Sequence, residues 1–409
     1  MKLFLWIIIL SCSLPSFAQD TSQPIIPGAY RTSVYVPLLK GKRIGVFANQ
    51  TSVIDNTNLI DTLLKLGVNI IKIFSPEHGF RGNADAGAST TNSTDSATHI
   101  PIISLYGKKN KPTADDLKDV DVLLFDIQDV GVRFYTYISS LQYFMEAAAE
   151  NRKPMMILDR PNPNGFYIDG PVLDTNYKSF IGMQPIPVVY GMTIGEYAMM
   201  ISGEGWLSTD AANKKFAWYK NHAQNSADTP FHFLVIKCQN YNHGSRYQLP
   251  VKPSPNLPDM GSIYWYPSIG FFEGTNISEG RGTDEPFQIF GAPSLPKNMY
   301  AFTPASKQGA TSPKYVDQTC YGWSVTNIRA DDGVLHLQYL IDAYKLFPNK
   351  DSFFIKPKAG DYFFNKLAGN SILMQQIKDG KTETEIHASW QPALNKFKQI
   401  RTKYLLYDE

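Results

Sequence analysis

Carboxylates, arginines and amides collect at five points in this chain, and each point follows a short apolar run. Asn49-Gln50-Thr51 follows the first run, and Pro76-Glu77-His78-Gly79-Phe80-Arg81-Gly82 follows the second. Ser104-Leu105-Tyr106-Gly107 closes the third. Asp126-Ile127-Gln128-Asp129, with Arg133 just beyond, closes the fourth, and Asp159-Arg160 the fifth. Carboxyls among cations and amides suit proton transfer on a polar substrate. Glu77 is the leading candidate. Pro76 stiffens the chain before it, and Gly79 and Gly82 let the backbone come close to a ligand. A carboxyl framed in this way can act as a general acid. The competing reading is a structural ion pair to Arg81 or Arg133.

A second polar cluster, Gly274 to Phe287, alternates charges with glycines and contains Asn276, Glu279, Arg281 and Asp284. Long polar loops in compact domains are usually functional or mobile, and the competing reading is a solvated, ordered loop. Upstream lie a rigid loop, Pro253 to Pro258, and an aromatic patch, Tyr264-Trp265-Tyr266. There is no GxSxG elbow and no CxxC pair. Glu77, His78, Asp126 and Asp129 could together be read as a metal set, but they include one histidine and no HxxxH spacing, so no metal is expected. Carboxylates with arginine and amide binding groups fit glycoside hydrolysis best.

Alternating elements must position these groups. Strands are expected at Arg43–Ala48, Asn69–Phe74, Pro101–Leu105, Asp121–Phe125 and Pro154–Leu158. Helices are expected at Asn58–Leu66, Ala114–Lys118 and Tyr137–Asn151. Near-continuous apolar strands separated by helices indicate a parallel sheet covered on both faces, and ligands of such sheets bind beyond the strand carboxyl ends. No GxGxxG follows the first strand, so no dinucleotide cofactor is expected. Thr193 and Glu196 form a capping box for a further helix. Beyond residue 210 the texture changes. A strand at Phe231–Lys237, Gly/Pro-rich loops from Tyr247 to Leu295 and an amphipathic tail, Pro392–Tyr407, suggest a smaller α+β unit spanning 211–409. The fold class is therefore α/β, a Rossmann-like parallel-sheet domain over 28–210 followed by the smaller α+β domain.

The 409 residues are 43% hydrophobic and 19% charged, enough for a large core. Lys+Arg 39 against Asp+Glu 37 argues against a nucleic-acid partner on a basic face. Met1-Lys2, the apolar run Leu3–Leu10 and Ser16-Phe17-Ala18 read as an export signal over residues 1–18. A lipoprotein signal acylated at Cys12 is the rival reading. The expected location is periplasmic or extracellular, with no membrane span. Cys238 and Cys320 could pair, but spacing does not decide it.

Five motifs together resemble the DUF1343, or NamZ, family of exo-β-N-acetylmuramidases. They are Gly45–Ser52, Pro76–Gly82, Asp126–Tyr137, Asp159–Pro163 and Asn276–Thr283. The resemblance implies removal of terminal β-N-acetylmuramic acid from the non-reducing end of peptidoglycan-derived muramyl saccharides. It also implies that the Rossmann-like domain is catalytic, that the C-terminal domain is auxiliary with the active cleft between the two, and that Glu77 is the catalytic glutamate. For the second acid, Asp126 ranks first because it ends a neighbouring strand, with Glu279 and Asp284 behind it. Asn49, His78, Arg81, Gln128, Arg133, Asn276, Glu279, Arg281 and Asp284 are candidate substrate contacts, and Arg81, Arg133 and Arg281 are candidates for the lactyl carboxylate.

Overall fold

The protein is described here from a computed structural model that covers residues 23–82, 85, 87, 91–221 and 231–409. The export signal expected over residues 1–18, with Cys12, lies outside the described residues. The first unit is built on a sheet whose strands are β1 (Arg43–Ala48), β2 (Asn69–Ser75), β3 (Ser93–Thr94), β4 (Pro101–Ser104), β5 (Val122–Asp126), β6 (Met155–Leu158) and β7 (Phe233–Ile236). Their order is β3-β4-β2-β1-β5-β6-β7. All neighbours are parallel except the short β3, which runs antiparallel to β4. β1, β5 and β6 are buried almost throughout, because helices cover both faces. One of these is α1 (Leu59–Lys65), capped by Asn58. Another is α2 (Tyr137–Glu150), which packs Phe144 against Phe47 and Phe74 of the sheet.

β7 departs from expectation. It pairs parallel with β6, so the segment assigned to the second unit is the last strand of the first sheet. The expected boundary at residue 210 falls before that strand. Thr193 does cap α3 (Ile194–Gly203) in a complete box with Glu196.

Within the stretch expected to be loops lies α4 (Met260–Ile269), started by an Asp259–Ser262 capping box. Gly261 and Pro267 disguise it. So does burial of Ile263, Trp265, Tyr266 and Ile269, which leaves no amphipathic period to read. Further on, β8 (Ile289–Ala292), β9 (Tyr300–Phe302) and β10 (Cys320–Ser324) form an antiparallel sheet in the order β8-β10-β9. The C-terminal helix α5 (Glu383–Arg401) starts nine residues before Pro392, at a Thr382–Glu385 capping box. Cys238 and Cys320 are free thiols in separate clusters.

The two units share one core. Phe134 of the first unit meets Tyr266 of α4 at 5.2 Å and Phe271 at 5.8 Å, and Phe271 meets Phe364 at 5.8 Å. A Cβ on Gly270 would lie 2.7 Å from the Phe134 ring, so only glycine lets that ring seat. The Pro253 carbonyl accepts hydrogen bonds from Tyr135 Oη (2.9 Å) and Gln50 Nε2 (2.9 Å), which straps the Pro253–Pro258 loop to the sheet rim.

Candidate active site

A cavity of about 520 Å³ lies between the units. The first unit contributes Glu77, His78, Tyr106, Thr136 and the Phe134–Tyr135 wall; the second contributes Tyr266, Glu273, Arg281 and Phe287. Ser254 and Asn256 enter from the strapped loop.

Glu77 stands two residues beyond β2, in a turn closed by a Gly79 N–H donating to Pro76 O. His78 adopts a left-handed conformation (φ 66°), which is strained for a residue with a side chain. Its ring Nε2 lies 3.3 Å from Ser254 Oγ. Thr136 Oγ1 donates to Glu77 Oε2 at 2.6 Å and the Gly87 N–H donates to Oε1 at 2.8 Å. Tyr106 also hydrogen-bonds Glu77; burial, reinforced by the Glu77 charge, pushes its phenol above the ordinary value. Among the described residues neither Arg81 nor Arg133 is a partner of Glu77, so the structural ion pair considered from sequence is not what holds it. Asp85, also on the wall, accepts from the Thr311 N–H (2.9 Å) and hydroxyl.

Opposite, Arg281 sits over the Phe287 ring. Its Nε is 3.2 Å from Glu279 and its Nη2 donates to Glu273 Oε1 at 3.3 Å. Lys314 braces the same segment, donating to Phe272 O (2.8 Å), Ile277 O (3.0 Å) and the Glu279 carboxylate (3.0 Å). Burial disfavours charge on both acids. For Glu279, Lys314 and Arg281 outweigh it and hold the carboxyl low; for Glu273 burial wins over Arg281 and the carboxyl is raised.

Of the residues singled out from sequence, Glu77, His78 and Arg281 share this cavity. The others are engaged elsewhere. Asp126 is fully buried and accepts from Arg160 Nε (2.6 Å) and Nη2 (2.8 Å); it is the partner of a buried arginine and not a wall residue. Asn49 turns inward, accepting from Thr51 and donating to Tyr137 Oη. Gln128 donates to the Asp129 and Pro161 carbonyls. Arg133 is buried and donates to the carbonyls of Pro171, Ile186 and Leu367; burial alone lowers it to about 9. Arg81 pairs with Asp95, and Asn276 donates to Ser352 O. Asp284 is exposed and pairs with Lys307, and Glu279 stands behind Arg281. Glu273 was not singled out from sequence. It sits between Phe272 and Gly274, one residue ahead of the polar cluster, where the phenylalanines read as core.

Known proteins match both halves of the chain. The family model described as exo-β-N-acetylmuramidase NamZ, N-terminal, matches residues 44–261, and its C-terminal counterpart matches 264–407. The peptidoglycan β-N-acetylmuramidase NamZ of Bacillus subtilis is 37% identical over 428 residues, covering 100% of this chain and 97% of that protein. Two crystal structures of DUF1343 family proteins from Bacteroides fragilis are similar. One is 43% identical with a TM-score of 0.81, covering 95% of this chain and 100% of its own. The other is 30% identical with a TM-score of 0.76, covering 94% and 99%. With both halves matched and the cavity at their junction, the chain belongs to the NamZ family of exo-β-N-acetylmuramidases, which are glycoside hydrolases.

Proposed function

We propose that the protein releases terminal β-linked N-acetylmuramic acid from the non-reducing end of peptidoglycan fragments. Glu77 gives its proton to the departing glycosidic oxygen. The observation that carries this reading is one cavity of about 520 Å³ holding both the Glu77 carboxyl and the Arg281 guanidinium. That volume lies within the range of small-ligand sites. Glu77 Oε2 meets a hydroxyl, which can donate to the carboxylate or accept from the acid, so this contact serves Glu77 in both protonation states. Arg281 Nη1 makes no hydrogen bond among the described residues and is assigned to the lactyl carboxylate of the substrate. Burying that carboxylate without a cation would be costly. The aromatic wall of Tyr135, Tyr266 and Phe287 suits the apolar face of the sugar ring. The export-signal pattern read over residues 1–18 is in keeping with action outside the cytoplasm.

The test is release of free sugar and chromophore from a chromogenic β-N-acetylmuramide, with and without chelator. Turnover that is indifferent to chelator is expected. Binding without turnover would point to a cell-wall sugar-binding protein. Turnover abolished by chelator would point to a metal-dependent esterase or amidase acting on the same polymer.

A further inference from the structure

We propose that Glu273 is the second carboxyl of the reaction, the base that takes a proton from the attacking water. This rests on the muramidase reading above and extends it to a residue outside the matched motifs. The acids expected from sequence are otherwise engaged: Asp126 is locked to Arg160, Asp284 faces solvent beside Lys307, and Glu279 is pinned by Arg281 and Lys314. Glu273 lines the cavity with Glu77 but comes from the other unit, so the two carboxyls approach a bound sugar from separate elements. Tyr266 marks the space between. Burial pushes its phenol well above the ordinary value, and the charges of both Glu273 and Glu77 add to that shift. Glu273 is also held in place, by Arg281 Nη2 at 3.3 Å and by Lys314 on the flanking carbonyls.

The chemistry separates two roles for such a carboxyl. A nucleophile must leave again, which favours a weakly basic group. A base works better as its affinity for protons rises toward the working pH. Glu273 is assigned to the second kind by its place on the second unit's wall of the cavity, apart from Glu77, where Arg281 holds its carboxyl at 3.3 Å; burial adds to its affinity for protons. In the step, Glu77 protonates the glycosidic oxygen as its bond to C1 breaks. Water oxygen bonds to C1 from the opposite face, and one water proton passes to Glu273. The proton returns from Glu273 to Glu77 by way of solvent, so atoms and charge balance. The configuration at C1 inverts.

The experiment compares wild type and Glu273→Gln on a chromogenic β-N-acetylmuramide, and follows the first-formed anomer from wild type by proton NMR. Glu273→Gln is expected to lower kcat by ~10²–10⁴-fold and to flatten the acidic limb of the pH profile. Wild type is expected to release the α anomer first. Wild type that turns over and releases the β anomer first overturns the assignment, as does a variant within tenfold of wild type. The anomer measurement stands even if the variant does not fold. Wild type that releases no sugar overturns the muramidase reading, and this assignment with it.

Discussion

Arg281 has two kinds of partner, the Glu273 and Glu279 carboxylates of its own segment and the lactyl carboxylate assigned to it in the substrate. Removing it disturbs the segment for every substrate but removes the lactyl contact for muramides alone. Arg281→Ala should therefore cost muramides an additional factor of about 10–150 in kcat/KM over matching glucosaminides, the equivalent of one charge-assisted hydrogen bond of about 1.5–3 kcal/mol. Parallel assays on the two glycosides check this. Equal losses would leave Arg281 as a brace for its neighbours. Arg81 and Arg133 are poor substitutes, since one pairs with Asp95 and the other spends its guanidinium on three buried carbonyls.

At the scale of elements, the strand ends do two different jobs. β2 delivers Glu77 to the cavity, whereas β5 ends in Asp126, whose carboxylate is sealed against Arg160. Asp126→Asn leaves a buried arginine without its counter-charge, so a loss of about 3–5 kcal/mol in urea unfolding is expected, with kcat of the folded protein near wild type. A large fall in kcat at unchanged stability would return Asp126 to the chemistry. This division explains what the sequence could show. Near-continuous apolar runs made β1, β2, β5 and β6 legible, and the Pro/Gly frame around Glu77 pointed to a carboxyl that does line the cavity. A sequence shows that a polar residue ends a strand, but not whether its side chain turns into the cavity or back into the loops. Asn49, Asp126 and Gln128 turn back. α4 was hidden by Pro267 and uniform burial, and Glu273 by the phenylalanines beside it.

At the scale of the whole molecule, a shared core fixes the cavity, and buried acids tune its stability. Burial raises Asp129 and Asp159 to about 6, against the hydrogen bonds from Tyr190 and Tyr407. The folded chain therefore binds protons at these sites that the unfolded chain, near 3.8, does not. Their contribution to stability is fully present below the unfolded value and is lost as pH rises through about 6. Between pH 7 and pH 4.5 each should add roughly 2 kcal/mol. Asp121, held down to about 2 by Arg43, works the other way only at lower pH. Calorimetry is expected to show a higher Tm at pH 5 than at pH 7, and a smaller difference in Asp129→Asn. A Tm that falls steadily on acidification would show that these acids are charged in the folded state.

Glu77, in the cavity between the units, is proposed as the acid that drives exo-cleavage of muramyl saccharides. The most direct measurement follows products from a peptidoglycan fragment ending in β-N-acetylmuramic acid at its non-reducing end, using wild type and Glu77→Gln. Wild type should release free N-acetylmuramic acid and a fragment shorter by one sugar. Glu77→Gln should keep its Tm and lose ~10²–10⁴ in rate, the scale of a missing general acid. Near-normal turnover by the variant would remove Glu77 from the chemistry, and internal cleavage by wild type would show that the enzyme is not exo-acting.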